Sequence, residues 1–188
     1  MLNDYAHLTC LFLRHTITTY LSIFSNKFIY YFSPLEGALA VITSIYETHL
    51  QVSQLDQSIH FFEKLGLQLA HKIKERRVAF FFVGPNKQML GIWEVPEGQT
   101  VQKSHFAFGV SHQDIEKAIP WLKSIGIEPQ ADFGKEPIEP IVHTWMPAAC
   151  VYFLDPDGNS LELLTLLDDT PIITDDFPYL SEWNKRKS

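Results

Sequence analysis

AFFFVGPNKQMLGIW at residues 79–93 and VYFLDPDGNSLELL at residues 151–164 state one pattern twice. Each is an apolar strand, a proline-containing turn and a second apolar strand. A short strand marked by a histidine lies upstream of each: His49 in THLQV and His105 in SHFAFGV. A helical pattern fills the space between histidine strand and hairpin. In the first copy Asp56 is placed to cap it, Ile59, Phe62 and Leu65 recur at helical spacing, and Gly66 closes it. In the second copy Ser111 and Asp114 resemble a capping box, Ile115, Ile119, Leu122 and Ile125 share a face, and Gly126 closes it. Pro120 is expected to kink this second helix. The repeat predicts an α+β fold. Two tandem βαβββ modules, at about 44–97 and 103–168, form one cup-shaped mixed sheet with helices on its convex side.

Three segments stand outside the repeat. Residues 1–42 are rich in Tyr, Phe, Thr and Ile. They read as an N-terminal extension, either poorly packed or added by a start upstream of the native one. The longest uncharged run there, His15 to Asn26, is well short of the roughly 20 apolar residues a spanning helix needs. Residues 131–146 read as an irregular loop carrying Phe133, His143 and Trp145, and residues 169–188 as a polar tail with Phe177, Tyr179, Leu180 and Trp183 as anchors.

Composition narrows the function. The chain has 188 residues, is 46% hydrophobic and carries a net charge of −7. That charge argues against nucleic acid as a partner, because phosphate binding relies on clustered Lys and Arg. Cys10 and Cys150 are too few for a disulfide framework, which fits a reducing, cytoplasmic location.

Strand phase gathers the chemistry. Side chains alternate with period two, so His49 and Gln51 share one face and Leu50 and Val52 the other. Phe106, Phe108 and Val110 oppose His105, Ala107 and Gly109; Leu161 and Leu163 oppose Glu162. The bulky sets belong against the helices. The opposite face holds His49, His105 and Glu162, a set suited to one divalent ion such as Zn, Ni, Mn, Co or Fe. Taken singly, each of these residues reads as an ordinary core or solvated side chain; the shared phase is what points to a metal.

LDQSIHFFEKLGLQL after THLQV, then HFAFGV, then VYFLDPDGNSLELL resemble the vicinal oxygen chelate superfamily. That group includes glyoxalase I, fosfomycin-resistance proteins, extradiol dioxygenases and methylmalonyl-CoA epimerase. The resemblance spans residues 44–166 and implies paired βαβββ modules around a divalent ion held by His49, His105 and Glu162. It also implies a possible homodimer, since modules in this superfamily commonly pair across two chains. Two departures from the family patterns stand out. Aligning the turns at Pro85 and Pro156 sets Gly91 where glyoxalase I carries a fourth ligand, and Glu94 could replace it only through a bulge. No Lys or Arg follows Glu162 until Lys185, which puts phosphonate recognition in doubt.

The expected function is therefore a metal-dependent enzyme on a small oxygen-chelating substrate. A glyoxalase-like lyase or thiol transferase is the first reading. An extradiol-type iron dioxygenase, with His143 and Tyr152 as acid–base partners, is the second, and a metal-free binding protein of the same fold the third. Gln51, Trp93, His143 and Trp145 are candidates to shape the pocket. No membrane partner is expected.

Overall fold

The computed structural model describes residues 41–186; all but the last two residues of the N-terminal extension read at 1–42, Cys10 included, lie outside the described residues. The first module runs β1 (Glu47–Val52), α1 (Leu55–Lys64), β2 (Gln68–Ile73), β3 (Val78–Val83) and β4 (Gln88–Glu94). Its strands order β1-β4-β3-β2, with β1 parallel to β4 and the rest antiparallel. The second module runs β5 (His105–Gly109), α2 (His112–Ile115), α3 (Ala118–Ser124), β6 (Pro129–Gln130), β7 (Ile141–His143), β8 (Ala148–Leu154) and β9 (Ser160–Leu166). Its order is β5-β9-β8-β6, with β7 added along β8.

This is the expected α+β fold of two tandem modules, and its strands are hydrogen-bonded as two mixed sheets, because β1 pairs only β4 and β5 pairs only β9 among the described residues. Side chains join the modules instead of a ladder. Gln102 N donates to Gln51 Oε1, Asn159 Nδ2 to the Gln51 carbonyl and Ser53 N to Asp157 Oδ2.

The core lies where strand phase put it. Leu50, Val52, Phe81, Leu90 and Ile92 of the first sheet meet Val151, Phe153, Leu161 and Leu163 of the second. Phe62 of α1 and Ile115 and Leu122 of the second module's helices complete this cluster. Leu180 and Trp183 of α4 (Leu180–Lys185) belong to it as well, so part of the expected polar tail is core. Phe62 is fully buried. Phe62→Ala is expected to destabilise the fold by about 3–5 kcal/mol through lost burial and the cavity left behind. Urea unfolding followed by tryptophan fluorescence measures this.

Two local expectations change for identifiable reasons. Gln54, not Asp56, is the N-cap of α1, and the cap bond comes from far away: Leu55 N donates to Glu94 Oε2 at 3.0 Å. Glu94 also pairs with Arg77. It is a structural carboxylate, and β3 and β4 pair without the bulge that a ligand role would need. The second helix is not kinked at Pro120 but divided ahead of it. Pro120 sits in the first turn of α3, where a missing N–H costs nothing. No described helix is long and apolar enough to cross a membrane.

Candidate metal centre

The turn at Asp155 sets the second module's site. Asp155 Oδ1 accepts from Asp157 N and Asn159 N, and Oδ2 accepts from Asn159 Nδ2 at 2.7 Å. Burial holds its carboxyl above the usual carboxylate range, with the Asn159 bonds working against that shift. Asn159 Oδ1 then accepts from Ser104 N, which fixes the start of β5 beside the start of β9. Register follows: His105 faces Ser160, Ala107 faces Glu162, and Tyr152 faces Glu162 from the other side. The small Ala107 leaves the carboxylate its space.

His105 and Glu162 come together. His105 Nε2 lies 3.3 Å from Glu162 Oε2. The other ring nitrogen, Nδ1, lies 3.1 Å from the Ser160 carbonyl oxygen, which can only accept. We therefore assign the proton to Nδ1, which puts a lone pair on Nε2. A lone pair and a carboxylate facing each other require a cation or a proton between them. Glu162 is buried, and its second oxygen, Oε1, has no hydrogen-bond partner. A buried acceptor left unpaired is costly, so this donor set fits a metal ion.

Around them lies a cavity of about 400 Å³ lined by His105, Phe133, His143, Trp145, Tyr152 and Glu162 among others. No Lys or Arg lines it among the described residues. Inside it, His143 Nε2 and the Tyr152 hydroxyl are 2.7 Å apart. Burial holds His143 below its ordinary value and Tyr152 above its own, so the pair rests as neutral imidazole and phenol. Phe133 packs edge-on to both rings. Tyr152 supplies a ring contact to His105 too, at 6.2 Å between centroids.

His49, Gln51 and Trp93 sit apart from this group. They line a second cavity of about 420 Å³ that shares no lining residue with the first. His49 is engaged at both nitrogens: Trp93 Nε1 donates to Nδ1 at 2.7 Å, and Nε2 meets Glu47 Oε1 at 2.6 Å. Metal ligation by His49 requires exchanging one of these partners. The single chain thus brings His105, Glu162, His143, Trp145 and Tyr152 together and leaves His49 with Gln51 and Trp93 on the other sheet.

Gly91 faces His49 across the β1–β4 ladder. A Cβ at Gly91 would lie within 3 Å of the His49 ring, 2.7 Å from Cε1, and 3.2 Å from Phe80 Cε1. The position cannot carry a fourth ligand while His49 stays where it is. Gly91→Ala is expected to push the imidazole off its Trp93 bond. Because a side-chain ring and not backbone must yield, the fold should lose about 1 kcal/mol or less, while any His49-dependent metal affinity falls about tenfold. Calorimetric metal titration beside a thermal melt separates the two effects.

Two signals were not readable in the sequence. Cys150, read there only as one of two cysteines, falls with its thiol beside His143 and Glu162, the three ligand atoms all within 4.8 Å of one another. β-strand register places it there, and register depends on where β8 begins, which a continuous apolar run does not show. Asp132 and Met146 also reach the cavity from the long loop.

A sequence model of the Glyoxalase/Bleomycin resistance protein/Dioxygenase superfamily matches residues 43–163, well over half of the chain. The chain belongs to this superfamily. Among solved structures of the same fold is integron cassette protein HFX_CASS4, from the mobile metagenome of the Halifax Harbour sewage outfall. It is 30% identical, with a TM-score of 0.58 over 66% of this chain and all of that one. Oxidase ChaP-H1 is 26% identical, with a TM-score of 0.53 over 69% of this chain and all of that one. Lactoylglutathione lyase from Agrobacterium tumefaciens is 23% identical, with a TM-score of 0.51 over 65% of this chain and 93% of that one, a likeness of fold. The superfamily's name joins glyoxalases, bleomycin-resistance proteins and dioxygenases.

Proposed function

We propose that the protein is a divalent-metal enzyme of the extradiol-dioxygenase type, opening a small aromatic ring that carries two neighbouring hydroxyls. The observation that carries this reading is the His143–Tyr152 hydrogen bond inside the cavity that His105 and Glu162 line. Proton abstraction of the glyoxalase kind is less well served, because Gly91 stands where the resemblance to glyoxalase I implies a second carboxylate, and a side chain there would run into His49. The cavity's lining supports the same choice. Phe133, Trp145 and Tyr152 suit a planar aromatic ring, and a lining without Lys or Arg among the described residues disfavours phosphonates and multiply charged thiol conjugates.

His105 and Glu162 would hold the ion, with His49 of a second copy of the chain as third ligand. Two things support the second copy: His49 lies on the other sheet, and β1 and β5 each leave one edge without a strand partner among the described residues. The ion would supply Lewis acidity and a place for two adjacent oxygens to chelate. The chain's own groups do the rest. The aromatic walls orient the ring. His143, neutral and aimed by the Tyr152 hydroxyl, accepts a proton from a substrate hydroxyl. The Tyr152 phenol, kept protonated by burial, donates toward the oxygen on which charge develops.

Reconstitution with iron(II) and an oxygen electrode tests the reading. Oxygen uptake with catechols and a yellow ring-opened product is the expected result. Isomerisation of a hemithioacetal with no oxygen uptake would replace it with the lyase reading, and drug binding without metal would replace it with a sequestering role.

A further inference from the structure

Glu162 has two oxygens and the structure gives them different neighbours. Oε2 faces His105; Oε1 is buried without a partner. On the same face, His143 of β7 and Cys150 of β8 bring a nitrogen and a sulfur within 4.8 Å of the carboxylate and of each other. Glu162 and Cys150 are 4% and 1% exposed, so this is not a surface cluster of chance acids. The thiol's contact to the Ala148 carbonyl is long and weak, at 3.6 Å. The three residues come from three adjacent strands held in one ladder. A nitrogen, a thiolate sulfur and a carboxylate oxygen form a donor set for a thiophilic ion of the zinc class, whose bonds of about 2.0–2.3 Å need only a modest closing of these side chains.

We propose that His143, Cys150 and Glu162 form a second metal site, selective for thiophilic divalent cations and inhibitory when filled. It shares Glu162 with the ion of the proposed function but does not use His49. As the metal–sulfur bond forms, the Cys150 thiol gives its proton to the buffer. His143 Nε2 turns from the Tyr152 hydroxyl to the ion, so the proton-handling pair is taken apart. Zinc excess would then silence the enzyme while leaving the fold intact.

Cobalt(II) titration of the full chain tests this by absorption. A near-ultraviolet sulfur-to-cobalt charge-transfer band is expected in the wild type and in His49→Ala, and it should be absent in both Cys150→Ser and Cys150→Ala. His143→Ala should keep the band but weaken cobalt affinity at least about tenfold. Two Cys150 variants guard against one that fails to fold, and circular dichroism confirms which are folded. Cobalt binding without the band overturns the inference. So does a band that survives in a folded Cys150 variant, which would assign the sulfur to Cys10. The two readings fail separately. Binding that depends on His49 with no thiolate band leaves the proposed function standing. A Cys150-dependent band in a protein that consumes no oxygen leaves the second site standing and removes the dioxygenase.

Discussion

Glu162→Gln is expected to lower metal affinity by at least about a hundredfold, which corresponds to about 2.7 kcal/mol. Activity should fall below detection with it. The carboxylate faces His105 Nε2 at 3.3 Å, and the substitution keeps its shape while removing its charge. The same change should make the metal-free protein more stable, not less. In the metal-free wild type, Oε1 is a buried acceptor without a partner, and a group of that kind costs about 1–3 kcal/mol. The glutamine amide can donate to the His105 Nε2 lone pair, because Nδ1 is already committed to the Ser160 carbonyl. A gain of about 1 kcal/mol would raise the melting midpoint by roughly 2–4 °C in a protein of this size. Scanning calorimetry in chelator, then with added metal, reads both effects. Metal should raise the wild-type midpoint, since a ligand that binds only the folded state stabilises it by mass action, and should leave the variant unmoved. A variant that keeps the metal-induced rise would remove Glu162 from the ligand set.

The sequence carries the strand phases, and phase accounts for part of the candidate site's geometry. Leu161 and Leu163 go to the core and Glu162 to the cavity face because a pleated strand alternates, and Phe62 of α1, Ile115 of α2 and Leu122 of α3 share the cluster on the core side. His105 and Glu162 therefore meet as phase alone requires. Phase says nothing about which strand lies beside which across modules. His49 has the right phase and yet lines a separate cavity, because it stands on the sheet of the other module. Cap bonds were illegible for a related reason. Glu94 looked available as a ligand by sequence, but its partners Leu55 and Arg77 are long-range, and only the folded chain brings them together. The loop at 131–146 reads as irregular in sequence, yet it holds the short β7, which exists by pairing with β8, and a tight local turn in which Lys135 N donates to the Asp132 carbonyl and Phe133 takes a positive φ of 48°.

Tyr152→Phe separates chemistry from packing, and the expected result is a loss of about 10²- to 10⁴-fold in kcat/KM at unchanged metal content. The ring contacts survive the change. Tyr152 packs against Phe133, His143 and His105 through its aromatic body, and phenylalanine offers the same body. What goes is the hydroxyl, and with it the 2.7 Å bond that aims His143. If the hydroxyl were only structural, its loss would cost about 1 kcal/mol of stability and leave the rate alone. If it holds and relays a proton, the rate falls while the midpoint moves by a few degrees at most. Single-turnover kinetics sharpen the distinction: substrate binding should be preserved, since the aromatic walls remain, and the chemical step should slow. His143→Gln should reproduce the loss, and the double variant should be no worse than either alone, because two residues that act as one relay do not add. Additive losses would show that His143 and Tyr152 serve separate steps, and an unchanged rate in Tyr152→Phe would remove the pair from catalysis altogether.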